Sequence, residues 1–340
     1  ADLIIKNGYD SKTETKKPNG GGMWRKNAYK VNSKLYGVDL NRNYGYKWGY
    51  DNSGSSTNPA SDTYRGTSAF SEPETASIRE LCKNHKFTSA LNYHTYSNLL
   101  IYPFGYNDQE TPHAEIFKLY AKDMTKFNHY EYGTGMQTVG YMVNGDSDDW
   151  MYGEQNEKPM IISMTPEVGN WSDGFWPQKS RIIPLAEENL FPNKYLAHVA
   201  GPKVILMDKK ILPSEFVNAG DEVKLILHFE NVGLATAERI NVSLKSNNLY
   251  TLIEDNESNL FGLKSFESAS NENDPIVVKI NDNLPSGTSI KIVVTIDYGF
   301  KNQETIELTV GTPSVIYEDS GESGKNAWNK SNWGIIKEDD

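Results

Sequence analysis

Of the six histidines in this 340-residue chain, one, His94, closes a β-prone apolar run, Phe87 to Tyr93. A second such run, residues 160–165 (MIISMT), is followed by Glu167. Open α/β sheets collect ligands outside the carboxyl ends of their strands, so an imidazole and a carboxylate at two strand ends are candidates for one site. A neutral imidazole there can ligate zinc, and a carboxylate facing it can act as a general base. Each also has an ordinary reading, His94 as a hydrogen-bonded structural histidine and Glu167 as a solvated loop acid. The stretch NGDSDDW adds three carboxylates, Asp146, Asp148 and Asp149, which taken alone read as a solvated acidic loop. Arg25, in MWRKN, taken alone is one of several exposed cations.

The elements that must position these groups can be read from periodicity. Up to about residue 200, strand-like runs alternate with helical segments, the pattern of an α/β domain. Ser71, Glu72, Pro73 and Glu74 read as N-cap, first turn and capping box, and Ile78, Leu81 and Cys82 supply the apolar face of the helix that follows. Ile116, Leu119, Tyr120, Met124 and Phe127 predict a second helix. Pro184 fits the first turn of a last helix running towards Ala197, whose later half Pro192 would disturb. After Gly201 the texture changes to β-branched runs between Asn, Gly, Asp and Ser: Glu222 to Asn231, Arg239 to Leu244, Pro275 to Ile280 and Ser289 to Asp297. These predict a β-sandwich. The expected organisation is an α/β domain over 1–200, an all-β domain over 201–312, and an acidic segment over 313–340, with Trp328 and Trp333, that reads as a linker or the start of a further module.

Four motifs turn the candidates into a set. GVDLNRNY at 37–44, TYRGTSAFSEPE at 63–74, NYHTYSNLLIYPFGY at 92–106 and TPEVG at 165–169 resemble, in order and at compatible spacing, the zinc metallocarboxypeptidase family, including its secreted bacterial members. The resemblance covers about residues 20–197. It implies a mixed central sheet flanked by helices and zinc-dependent removal of the C-terminal residue from peptides or proteins. On the matching positions His94 is the third zinc ligand, and Glu167 the general base that then protonates the leaving amine. Asn41 and Arg42 hold the terminal carboxylate, which a guanidinium paired with an amide donor recognises and an internal peptide bond lacks. Arg25 matches the arginine that polarises the scissile carbonyl. Tyr141 matches a mobile tyrosine that closes over substrate, with Trp150 keeping the frame after it, and Tyr96 lines the outer subsites. The family's specificity pocket takes its base residue from the NGDSDDW loop, and Asp148 falls where an acidic residue selects Lys or Arg side chains. The stretch AGDEVKLILHFENVGLATAERINVSL is similar to adhesion-type modules that follow the catalytic domains of bacterial secreted enzymes.

One part of the family pattern is missing. The first two zinc ligands come from a His-x-x-Glu motif, and none of His85, His94, His113, His129, His198 or His228 has Glu three residues on. His113 and Glu115 are two apart on a predicted helix and point to different faces. Catalytic zinc normally takes three protein ligands, so one imidazole cannot hold it. Either the chain is part of a longer enzyme, with zinc as its cofactor, or it is a zinc-free relative that grips peptide C-termini without cleaving them. The presence of Glu167, Arg25, Asn41 and Arg42 favours the first, because a protein that only binds has no chemical need for Glu167. A third reading, an adhesion or anchoring protein acting through 201–312, finds no aromatic face or ligand cluster there, and a spacer or docking domain accounts for that region better.

Composition bounds the partners. A net charge of −11 spread along the chain disfavours nucleic acid and anionic membranes. Cys82, the single cysteine, cannot form an intramolecular disulfide. No apolar run reaches the length of a membrane span, and residues 1–20 lack the pattern of a signal peptide. The family resemblance makes a secreted or cell-surface location the expectation and a peptide or protein the substrate. Oligomeric state has no signature in the sequence.

Overall fold

The structure, a computed structural model, describes residues 24–31, 34–175, 177–246 and 251–312. The expected linker over 313–340 and residues 1–20 lie outside them. The chain divides into two compact units, one comprising Ala1–Lys203, Asn231–Ala237 and Lys264–Glu267, the other Val204–Glu230, Glu238–Leu263 and Ser268–Asp340.

The first unit is mixed α/β. After a short antiparallel pair, β1 (Lys30–Val31) and β2 (Lys34–Leu35), come α1 (Pro73–Asn84), β3 (Ser89–Leu91), β4 (Leu99–Ile101), α2 (Ala114–Met124), β5 (Glu131–Gly133), α3 (Gly135–Thr138), α4 (Ser147–Gly153), β6 (Ile162–Glu167), α5 (Ile182–Glu187) and α6 (Leu190–Val199). The sheet order is β3-β6-β4-β5. β3 runs parallel to β6, β4 antiparallel to β6, and β5 parallel to β4. Cys82 of α1, Trp150 and Met151 of α4 and Ile161 form a buried cluster with Ala90 of β3, Tyr44, Tyr46 and Phe70 packed on it. α2 and α6 are joined by the Tyr195 hydroxyl, which donates to Asp123 at 2.6 Å.

α1 starts where the sequence predicts, but without the expected capping box. Glu72 is its N-cap and makes no side-chain cap bond. The Ser71 hydroxyl donates to Glu72 Oε1 at 2.7 Å, and the fully buried Asn43 accepts from the Glu72 amide and the Thr75 hydroxyl in place of the predicted box. The single last helix expected from Pro184 to Ala197 is instead two, α5 and α6. Pro184 and Pro192 each fall in the first turn of a helix, where the missing N–H has no partner to lose. Phe127, expected on the apolar face of the second helix, lies beyond the end of α2 and is 62% exposed.

The second unit is all β: β7 (Val204–Leu212), β8 (Glu222–Asn231), β9 (Ala237–Ser246), β10 (Thr251–Asp255), β11 (Glu257–Leu263), β12 (Ser268–Ser270), β13 (Ile276–Ile280), β14 (Ser289–Asp297) and β15 (Lys301–Thr309). One sheet is ordered β10-β13-β8-β12 with β7 on β8, the other β11-β9-β14-β15. The pairings of β13 with β8 and of β14 with β9 and β15 are antiparallel. Alternation decides what is buried: Leu225, Leu227 and Phe229 on β8, Ile240, Val242 and Leu244 on β9, and Ile290, Ile292, Val294 and Ile296 on β14 are all inside. No helix among the described residues is long and apolar enough to cross a membrane.

Candidate active site

The parallel register of β3 and β6 sets the site. Leu91 pairs with Met164. The same offset carries on past the end of β3, where His94 bridges to Glu167, the His94 amide donating to Pro166 O at 2.9 Å and the Val168 amide to His94 O at 3.0 Å. Residues in register on adjacent parallel strands project to the same face, so both side chains rise on one side. His94 Nδ1 lies 3.9 Å from Glu167 Oε1. Burial lowers the His94 pKa, favouring the neutral imidazole, with the Asp148 and Asp39 charges opposing. Burial also pushes the Glu167 carboxyl up to about 7, with the Arg25 charge opposing and Asp148 adding to the shift. A carboxyl titrating near neutrality can both take and return a proton.

Asn41 and Arg42 occupy a 3-10 turn, Leu40–Arg42, whose N-cap Asp39 accepts from the Asn41 amide. The turn is anchored by the neighbouring Asn43, whose amide nitrogen donates to Arg65 O, Ser68 O and Ser71 Oγ. Gly145 clamps it from the other side: its φ is +76°, and a Cβ there would meet Arg42 O at 2.6 Å, so only glycine fits. Arg42 donates from Nε to Gly54 O at 3.0 Å and from Nη1 to Asn41 O at 2.8 Å. Those bonds fix the guanidinium plane and leave Nη2 without a protein partner among the described residues. Asn41 Oδ1 accepts from the Ser147 amide at 3.0 Å, and its Nδ2 stands 3.4 Å from His94 Nε2.

One cavity of about 250 Å³ is lined by Arg25, Asn41, Arg42, His94, Tyr141, Asp148 and Glu167. Seven of the eight residues singled out in the sequence therefore converge, from five separate segments of the chain. Tyr141 is 56% exposed on the loop before α4. Arg25 lies over the Phe175 ring at 4.5 Å. Tyr96 is not in the cavity lining. It packs edge-on against Phe175 and Trp171, at 4.9 and 5.3 Å between ring centres, and Phe175 is also the ring under Arg25.

Asp148 lines the cavity with its carboxylate already bonded within the protein: it accepts from Asn92 and Ser163 on Oδ1 and from Thr165 on Oδ2, each at 2.6 Å. Those donors were missed in the sequence, although alternation marks them. Ser163, Thr165 and Glu167 are two apart on β6, as are Asn92 and His94, so each set shares a face. Polar residues recurring every second position in a strand buried on both faces are the signal that the apolar reading of MIISMT passed over.

A model of the zinc carboxypeptidase family matches residues 8–191. The chain belongs to the zinc carboxypeptidase family. Among its relatives, zinc carboxypeptidase A 1 of Anopheles gambiae is 33% identical over 177 residues, covering 49% of this chain and 40% of the relative. Carboxypeptidase A1 of Bos taurus is 36% identical over 174 residues, again 49% of this chain and 40% of the relative. The solved structure of bovine thrombin-activatable fibrinolysis inhibitor in complex with tick carboxypeptidase inhibitor aligns with a TM-score of 0.46 at 28% identity, over 52% of this chain and 61% of that one. The chain spans about 40% of the length of the curated relatives it matches. The family implies zinc, and His94 has the chemistry of one ligand. The described residues contain no group of three His, Cys, Asp or Glu placed to hold a metal ion, so they do not complete a zinc site.

Proposed function

We propose that the cavity receives the free C-terminus of a peptide or protein and that the chain supplies the recognition and proton-transfer residues of a zinc carboxypeptidase. The observation that carries this reading is the convergence of His94, Glu167, Asn41 and Arg42 on one cavity. Arg42, with its plane fixed and one nitrogen uncommitted, and Asn41 bind the terminal carboxylate. Arg25 polarises the scissile carbonyl, and Tyr141, exposed on its loop, covers the bound end. Glu167, poised near neutrality, removes a proton from the attacking water and returns it to the leaving amine. Tyr96 contributes to an outer aromatic rim with Phe175 and Trp171. The all-β unit, read as a β-sandwich following the catalytic domain at about residue 200, serves as a spacer or docking domain, and the location is secreted or cell-surface.

The single imidazole in the cavity favours a second reading for this chain as it stands: binding of C-termini without cleavage. The two are separated by supplying what the sequence lacks. The chain alone is expected to take up no stoichiometric zinc and to hydrolyse no peptide. Joined to a family segment bearing His-x-x-Glu, it is expected to bind one zinc and release C-terminal residues, with a rate that rises with pH as Glu167 ionises through about 7. Stoichiometric zinc on the chain alone contradicts the ligand count, and zinc binding without hydrolysis in the joined protein leaves the binding reading standing.

A further inference from the structure

The first unit claims two turns from the later part of the chain: Asn231–Ala237, between β8 and β9, and Lys264–Glu267, between β11 and β12. Within that unit the turns are built in rather than laid on. The Tyr120 hydroxyl of α2 donates to Val232 O, and the Leu234 amide donates at 2.9 Å to Val199 O, at the end of α6. A Cβ on Gly233 would fall on the backbone of Gly201, Pro202 and Lys203, so only glycine permits the approach. The second turn is fastened to the first, the Phe266 amide donating to Asn231 O at 2.8 Å and the Ser265 hydroxyl to Gly233 O at 2.6 Å.

Phe266 is the outlier in this arrangement. Its φ is +63°, a region that a bulky side chain rarely occupies and holds only where its surroundings dictate it. Its ring lies against His113, the N-cap residue of α2, with 5.0 Å between ring centres. His113 Nδ1 is in turn 3.0 Å from the Tyr152 hydroxyl of α4. Two routes lead from Tyr152 to the cavity. The first is α4 itself: at its other end the Ser147 amide donates to Asn41 Oδ1 at 3.0 Å, which commits that end of the Asn41 amide and leaves Nδ2 as the donor beside His94. The second is the ring of Phe104, edge-on to Tyr152 at 5.6 Å, whose chain neighbours Pro103 and Gly105 both line the cavity.

We propose that Phe266 and His113 are positioning residues for the cavity: through Tyr152 they set where α4 and Phe104 stand, and through those the Asn41 amide and the cavity wall. This rests on the reading of the cavity as a site for peptide C-termini. Interiors packed at crystal density pass a displacement on rather than absorb it, so neither residue needs to touch the ligand. A contact needed only to fill space would not call for a bulky residue at positive φ, which costs the fold. The two downstream turns are therefore part of the peptide-binding unit, which does not end at residue 200 as the composition suggests.

The test uses the intact chain and one peptide, benzoyl-glycyl-phenylalanine, as the acid and as the C-terminal amide, with binding measured by calorimetry. The unaltered chain is expected to prefer the acid by at least about tenfold. Tyr152→Phe, which removes only the oxygen that His113 holds, should cut that preference about threefold, and Phe266→Ala about threefold or more. Phe266→Tyr, which keeps a ring against His113, should preserve it. Phe261→Ala, at a 70% exposed ring on β11, should leave it unchanged. Loss of stability lowers acid and amide binding together, so their ratio, taken on protein shown to be folded by circular dichroism, separates positioning from folding. An unchanged ratio in Phe266→Ala or in Tyr152→Phe overturns the proposal and leaves the C-terminus reading intact; if Phe266→Ala does not fold, Tyr152→Phe alone decides. Absence of an acid preference in the unaltered chain overturns the C-terminus reading itself, and this assignment with it.

Discussion

In the all-β unit, β14 buries Ile290, Ile292, Val294 and Ile296 and leaves the residues between them partly or fully exposed; in the α/β unit, β6 buries Ser163 and Thr165 along with Ile162 and Met164. The first pattern is what a two-sided strand needs in order to build a core. The second places hydroxyls where packing alone would choose apolar groups. Those hydroxyls hold Asp148, Asp148 holds α4 against the sheet, and α4 carries the loop that clamps Arg42. Where the chain departs from the cheapest local choice, a cavity with chemistry lies next to the departure.

The contrast is open to attack from both sides. The largest effect is expected in the core of the all-β unit, where Ile292→Ala should cost about 2–5 kcal/mol of that unit's stability, measured by denaturant unfolding, while peptide binding by the folded protein stays as before. A folded Ile292→Ala protein that binds peptide poorly would remove the division of labour between the units. Next in size, Arg42→Ala should weaken binding of peptides with a free C-terminus by about 100-fold, roughly 2.7 kcal/mol, because it removes the fixed guanidinium. Amidated peptides, already lacking the matching charge, should lose little.

The smallest effect has the opposite sign. Burial and the neighbouring Asp148 charge push the Asp146 carboxyl up to about 6. A raised carboxyl pKa means that the folded state prefers the protonated form. The stability it allows is fully present below about pH 4 and lost as pH rises through about 6. Asp146→Asn removes that loss, so the variant should be about 1–3 kcal/mol more stable than the parent at pH 8 and no more stable at pH 3.5. A variant less stable than its parent at pH 8 would mean that Asp146 Oδ2, buried without a hydrogen-bond partner among the described residues, has one after all.

Much of this was legible in the sequence because strand ends and ordered motifs carry it. The runs before His94 and Glu167 are short but bounded, and once they pair in parallel the register brings the two side chains together. The strands of the all-β unit were equally readable from alternation, with β8 and β14 spanning the expected Glu222–Asn231 and Ser289–Asp297. What was not legible depended on partners far away in the chain. The α1 cap was read from Ser71 because local spacing suggests a box, whereas Asn43, nearly thirty residues earlier, takes that role. The donors that hold Asp148 come from Asn92, just past β3, and from Ser163 and Thr165 of β6, too far along the chain for local spacing to reveal. Tyr96, expected in the outer subsites, packs against Phe175 and Trp171 beside the cavity, an aromatic contact that spacing alone does not show.

The central claim is that the cavity recognises a free peptide C-terminus, and the most direct measurement is calorimetric titration of the intact chain with one peptide prepared as the acid and as the C-terminal amide. The two ligands differ only in the carboxylate that Asn41 and Arg42 are placed to bind. The acid is expected to bind at least about tenfold more tightly than the amide, the preference weakening as salt screens the charge. Equal affinities for acid and amide, in a chain folded as described, would contradict the account.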